Sequence, residues 1–133
     1  MHKLGFTCGT FDLLHAGHIL MLEEARSKCS CLIVGLQSDP TIDRKYKNKP
    51  IQTVKERTIQ LEGCKYVDVV VLYSTEEELL QLLHTLPIDI RILGEEYKQI
   101  DFTGKGLPIP IYFNSRKHSY SSSELIQRVR NGS

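Results

Sequence analysis

The sequence predicts an α/β fold: a doubly wound, five-stranded parallel sheet with helices on both faces, built as one domain over residues 1–133. Three observations lead there. Five short runs rich in Val, Ile, Leu and Tyr recur without strict apolar–polar alternation, as suits strands of a sheet covered on both faces. Helix-type segments fall between them, and such alternation feeds parallel strands through right-handed crossovers. Finally, 133 residues fill a single layered core and are too few for separate cofactor and substrate domains.

The first strand is expected at Leu4–Cys8. A helix from about Gly17 to Lys28 follows, with Ile19, Leu20, Leu22 and Ala25 at the spacing of one face. The second strand is Cys31–Leu36. Thr53 with Glu56 then marks a helix start, because the hydroxyl can cap one free amide while the carboxylate bonds back to another. Val67–Tyr73 is the third strand. A helix over Glu76–His84 opens on the same pattern, Thr75 with Glu78, and carries Leu79, Leu80, Leu82 and Leu83. Strands at Ile88–Leu93 and Ile109–Phe113 complete the sheet, and Ser121 with Glu124 opens the last helix. Turn formers occupy the connectors: Asp39-Pro40, Asn48 to Pro50, Leu86-Pro87 and the Gly104–Pro110 stretch. The arrangement is Rossmann-like.

Composition narrows the function classes. Seventeen Lys and Arg against sixteen Asp and Glu leave a formal charge of +1, so no global field draws the chain to nucleic acid or to a membrane. Hydrophobic residues at 41% and charged residues at 25% describe a folded domain and not a disordered one. The amino terminus lacks the pattern of a secretory signal, and no apolar run nears the ~18 residues of a membrane span. Cys8, Cys29, Cys31 and Cys64 form neither a Cys-x-x-Cys pair nor a zinc-finger spacing, and read as reduced thiols of a cytoplasmic protein, two or three of them buried.

In doubly wound sheets ligands bind beyond the carboxyl ends of the strands, where the strand order reverses. Polar segments follow four of the five strands and should share that edge. After the first comes Gly9-Thr10-Phe11-Asp12-Leu13-Leu14-His15-Ala16-Gly17-His18. Its two imidazoles, three residues apart at a helix entrance, can lie on one side of the first turn beside free amides and the positive helix end, a place for phosphate oxygens. Gly17 would allow a close backbone approach and Gly9 a tight turn. As bare residues, His15 and His18 serve equally well as surface or capping groups.

After the second strand come Ser38-Asp39 and the basic loop Arg44 to Lys49, the one dense positive patch, which without context is a solvated face. Glu95 and Glu96 follow the fourth strand, either an exposed acidic turn or groups that reach base or ribose. Arg116 to Ser123 follows the fifth, where Ser121 is explained as a cap and the cap amides would also meet an anion.

With these residues in place the chain resembles the HxGH-type nucleotidyltransferases, and within them the small cytidylyltransferases. The likeness runs through residues 9–18, Ser38-Asp39, Lys45 and Lys47, Arg57, Tyr66-Val67-Asp68, and Arg116 with Ser121 to Ser123. Heptose-phosphate adenylyltransferases share much of this pattern. The resemblance implies in-line transfer of CMP from CTP to a small phosphorylated acceptor such as glycerol 3-phosphate, with pyrophosphate leaving and a CDP-linked product, by a homodimer. The alternatives are adenylyl transfer from ATP to a sugar phosphate and a non-catalytic nucleotide-binding module.

By the same resemblance His15, His18, Lys47 and Arg116 are catalytic. Gly9, Thr10, Phe11, Gly17, Glu95, Tyr120, Ser121, Ser122 and Ser123 join them in holding the nucleotide. Asp12, Asp39, Lys45 and Arg57 hold the acceptor. Magnesium is the cofactor, carried mainly by the triphosphate with no dedicated protein cage. Three departures from the cytidylyltransferase pattern stand out. Lys65 occupies the place of an arginine and lacks its planar fork, Ser119 replaces a glycine, and Thr75–Leu83 lacks the tryptophan and lysine that bind glycerol phosphate.

Overall fold

A computed structural model describes residues 2–115 and 118–132. Five parallel strands form one sheet: β1 (His2–Gly9), β2 (Cys29–Gln37), β3 (Val69–Tyr73), β4 (Ile90–Gly94) and β5 (Ile111–Asn114). They lie in the order β3-β2-β1-β4-β5. The four helices are α1 (Ala16–Arg26), α2 (Val54–Glu62), α3 (Glu76–Thr85) and α4 (Ser122–Arg130). The expected class and strand count hold, with strand limits shifted by up to two residues.

Two apolar layers sandwich the sheet. On one face Leu32, Val34, Leu36, Ile90 and Ile92 meet Leu22 and Ala25 of α1 and Leu61 of α2. On the other, Phe6, Ile33 and Tyr73 meet Leu79 and Leu83 of α3. Consecutive residues of β2 therefore enter different cores, which is why its run is unbroken. The coverage expected of every strand fails at β3. This strand lies at the sheet edge, and Val69 and Leu72 are exposed. Leu20 and Leu80, assigned to buried helix faces by spacing, also point out to solvent. The four cysteines are free thiols, with Cys29 buried and the others partly so.

The caps form as the sequence indicates. Thr53 and Glu56 exchange both bonds at α2, as do Thr75 and Glu78 at α3. At α4 the Ser121 hydroxyl accepts from the Glu124 amide. Strand order reverses between β1 and β4, the two neighbours whose connections run to opposite sides of the sheet. The crevice therefore opens where β1 runs into α1 and β4 into the 3-10 turn Glu95–Gln99, which replaces the simple acidic turn expected there.

Candidate active site

The link from β1 to α1 is built from strained backbone locked by neighbours. Phe11 and Leu13 both have positive φ, 50° and 51°, a conformation that costs a non-glycine residue on the order of 1–3 kcal/mol. The expected tight turn at Gly9 is thus displaced onto these two residues, and Gly9 completes β1, paired with Leu36. Three contacts hold the link. Arg57 Nη1 donates to the Thr10 carbonyl at 3.0 Å, the Leu13 amide donates to Gln52 Oε1 at 2.8 Å, and the Asp12 carboxylate accepts from the Ile51 and Gln52 amides at 2.7 and 2.9 Å. Phe11 is buried, with its ring 5.6 Å from that of His18.

So held, the chain enters α1 with its two histidines acting as the cap. His15 Nδ1 accepts from the Gly17 amide at 3.0 Å, and His18 Nδ1 accepts from the His15 amide at 3.2 Å. The ring centroids are 4.0 Å apart. An imidazole nitrogen that accepts carries no proton, so each ring holds its proton on Nε2. Capping, one of the two readings of the bare sequence, is thus observed, and it engages Nδ1 of each ring. With Nδ1 taken by the backbone, Nε2–H is the one N–H donor that each ring can offer.

Burial first, then the neighbouring His15, pushes the His18 pKa down to about 4, with Asp12 opposing and His118 adding to the depression. His18 is thus an uncharged donor at neutral pH. The unfolded chain takes up this proton near pH 6.5 and the folded chain near pH 4. Stability from this group is present above pH 6.5 and is lost as pH falls towards 4, by on the order of 2–3 kcal/mol. Denaturant titrations of wild type and His18→Gln at pH 4.5 and 7.5 should show a smaller acid loss in the variant. Equal losses would place the proton uptake elsewhere.

The opposite wall comes from β4, β5 and the start of α4. His15, Gly17, His18 and Met21 line a cavity of about 280 Å³ together with Gly94, Glu96, Asn114, Ser115, His118, Tyr120, Ser121 and Ser122. Gly94 packs against the Glu96 carboxylate, the exposed end of a flexible side chain. At Gly17 a Cβ would lie 2.8 Å from His118 Cε1 and 2.9 Å from His15 Cε1, so the missing side chain leaves room for both rings. Ser122 Oγ donates to the Asp12 carbonyl at 3.3 Å and ties α4 to the β1–α1 link. Asn114 is buried, with Nδ2 donating to the Met21 carbonyl at 3.3 Å.

The nucleotide-binding expectations converge here in His15, Gly17, His18, Tyr120, Ser121 and Ser122. Ser123 is exposed and does not line the cavity, nor does Glu95, which is exposed while its neighbour Glu96 lines the wall. Gly9, Thr10 and Phe11 do not line the cavity, though the Phe11 ring lies beside that of His18. Arg116 lies outside the described residues.

The four acceptor expectations separate. Arg57 is 1% exposed, and its guanidinium donates to the carbonyls of Thr10, Gln37, Ser38 and Gln52. It clamps the ends of β1 and β2 to α2, and in this arrangement has no group turned to an acceptor. Asp12 is a loop pin. Asp39 accepts from the Thr41 amide and hydroxyl at 2.9 and 2.6 Å, bonds that hold its carboxyl below the usual carboxylate range. Lys45 and Lys47 are exposed on a loop anchored to α3, where Arg44 pairs with Glu76 at 3.1 Å and Asp43 accepts from the Glu76 amide at 2.5 Å. Neither lysine lines the cavity.

Sequence reasoning missed Met21 and Asn114, whose apolar and strand-end settings carry no chemical signal. Nor does His118 stand among the expected site residues, although a third histidine near a two-histidine motif is a signal in itself.

Residues 6–128 match the cytidylyltransferase-like family. The bifunctional protein HldE of Wolinella succinogenes is 33% identical over 129 residues, 96% of this chain and 27% of that protein. The bifunctional protein HldE of Rhodospirillum rubrum is 34% identical over 136 residues, 98% of this chain and again 27% of the relative. The chain therefore spans about a quarter of the length of these curated relatives. The crystal structure of the lipopolysaccharide core biosynthesis protein from Thermoplasma volcanium superposes with a TM-score of 0.69 at 25% identity, over 91% of this chain and all of that one.

Proposed function

Since the chain belongs to the cytidylyltransferase-like family, whose members are nucleotidyltransferases, we propose that it transfers a nucleotidyl group from a nucleoside triphosphate to a small phosphorylated acceptor. An acceptor phosphate oxygen attacks the α-phosphorus in line, the bond from that phosphorus to the bridging oxygen breaks, and pyrophosphate leaves with the electron pair. Charge builds on the non-bridging and leaving oxygens, so fixed donors do most of the catalytic work. The observation that carries this reading is the pair of Nε2–H donors that the backbone sets at the start of α1. Ser121 and Ser122, at the start of α4, line the same cavity.

Magnesium suits this donor set as an ion carried by the triphosphate. Among the described residues no three His, Cys, Asp or Glu side chains gather into a metal-ligating group, and Glu96 supplies a carboxylate at the cavity wall. When bound, the ion would neutralise phosphate charge.

ATP with a sugar phosphate is favoured over CTP with glycerol phosphate. Both curated relatives are HldE proteins, the structural relative is a lipopolysaccharide core biosynthesis protein, and the sequence pattern is shared with heptose-phosphate adenylyltransferases. Moreover Lys65, in the place of the cytidylyltransferase arginine, is exposed with Nζ 5.1 Å from the centre of the Tyr66 ring and does not line the cavity. Pyrophosphate release should appear with ATP and magnesium in a panel of sugar phosphates and exceed that with CTP. Faster turnover of CTP would reverse the base preference. Silence with every nucleoside triphosphate across a broad acceptor panel would remove the transferase reading and leave a binding module. No helix among the described residues is long and apolar enough to cross a membrane.

A further inference from the structure

Three imidazoles, not two, enclose the cavity, and all three are held by one device. His118, on the connection from β5 to α4, accepts from the Tyr120 amide through Nδ1 at 3.2 Å, as His15 accepts from Gly17 and His18 from His15. Its ring stacks on that of Tyr120, 5.6 Å away at 28°. The bond and the stack fix the ring, and the accepting nitrogen again leaves the proton on Nε2. This ring packs against the bare α-carbon of Gly17, where a Cβ would lie 2.8 Å from His118 Cε1 and 2.9 Å from His15 Cε1. A surface histidine serving only as a turn former would have no need of that contact. Ser121 and Ser122, three and four residues on, line the same cavity.

We propose that His118 is a third phosphate donor of this site and holds the leaving pyrophosphate, from the β5–α4 connection that lines the cavity together with His15 and His18. The assignment rests on the nucleotidyl-transfer reading for its chemistry and on the ring geometry for its place. His15 and His18 sit at the α1 terminus, while His118 comes from the connection that leads into α4, so a polyphosphate in the cavity meets donors from two segments of the chain. As the bond between the α-phosphorus and the bridging oxygen breaks, the electron pair goes to pyrophosphate, and a hydrogen bond from His118 Nε2 meets the new charge without any net proton transfer. The nucleotidyl-transfer motif that carries His15 and His18 does not include this residue.

Calorimetric titration of inorganic pyrophosphate with magnesium tests the assignment apart from turnover. Wild type should bind. His118→Phe, which keeps a ring without the donor, should bind at least tenfold more weakly, and His118→Gln, which restores an N–H, should recover most of the loss. Transfer rates should follow the same order, with the loss in kcat exceeding any rise in KM for the nucleotide. If His118→Phe unfolds in a thermal melt, His118→Ala takes its place. Pyrophosphate affinity within twofold of wild type in the phenylalanine or alanine variant, or no binding by wild type at millimolar pyrophosphate, overturns the proposal. Pyrophosphate binding that depends on His118 in a protein that turns over no nucleotide would sustain the phosphate site and remove the transferase reading instead.

Discussion

His15→Asn and His18→Ala are each expected to lower nucleotidyl transfer at least a hundredfold, about 3 kcal/mol of transition-state stabilisation. The asparagine is chosen because the two duties of His15 can be separated. Asparagine is among the best N-cap residues, so its side chain can accept from the amides at the start of α1 as His15 Nδ1 does now. It has no Nε2–H at the distance of an imidazole. Helix entry then survives while the donor is lost, and urea titration should find stability within about 1 kcal/mol of wild type. Near-normal turnover in both variants would show that the phosphates lie elsewhere. Equal losses of activity and stability would reduce the pair to a structural cap.

The second large effect concerns stability. Arg57→Met should destabilise the fold by on the order of 3–5 kcal/mol, because it removes the donors that satisfy carbonyls from three different segments. Burial lowers the Arg57 pKa, with Asp12 and Asp39 opposing, so the cation is kept charged at a cost that its four acceptors offset. Its bond to Thr10 also supports the strained backbone at Phe11 and Leu13. Transfer activity should therefore fall along with stability, and Arg57→Lys should rescue neither fully, since one ammonium cannot reproduce a planar fork. A urea midpoint shift equivalent to less than about 1 kcal/mol would mean that water takes over the carbonyls, and that Arg57 is available for an acceptor after all.

Much of this architecture could be read from the chain because it depends on local rules. The three hydroxyl caps at Thr53, Thr75 and Ser121 each require only a hydroxyl and an amide three residues on, and each forms. The alternation of apolar runs and helices likewise fixes the class of sheet. What escaped depends on which elements become neighbours. Strand order places β3 at an edge and exposes Val69 and Leu72, and nothing in Val-Val-Val-Leu-Tyr announces that. Arg57 looks like a substrate cation in one dimension and is a clamp in three, because the four carbonyls around it come from positions 5 to 47 residues distant. The histidine pair was legible through its spacing and its place after a strand. The detail that assigns its protons, one backbone amide for each Nδ1, is tertiary geometry around two strained residues.

Under the proposed nucleotidyl transfer, the uncharged state of His18 bears on how a polyphosphate would be released. A site that gripped polyphosphate with fixed cations would hold reactant and product almost equally and would slacken steeply with added salt. A neutral N–H pointed at one oxygen gains most when charge concentrates on that oxygen, so it favours the fleeting pentacoordinate species over the molecules on either side of it. Ionic strength should then act chiefly through the exposed Lys45 and Lys47, slowing capture from solution while leaving the speed of the committed step almost untouched.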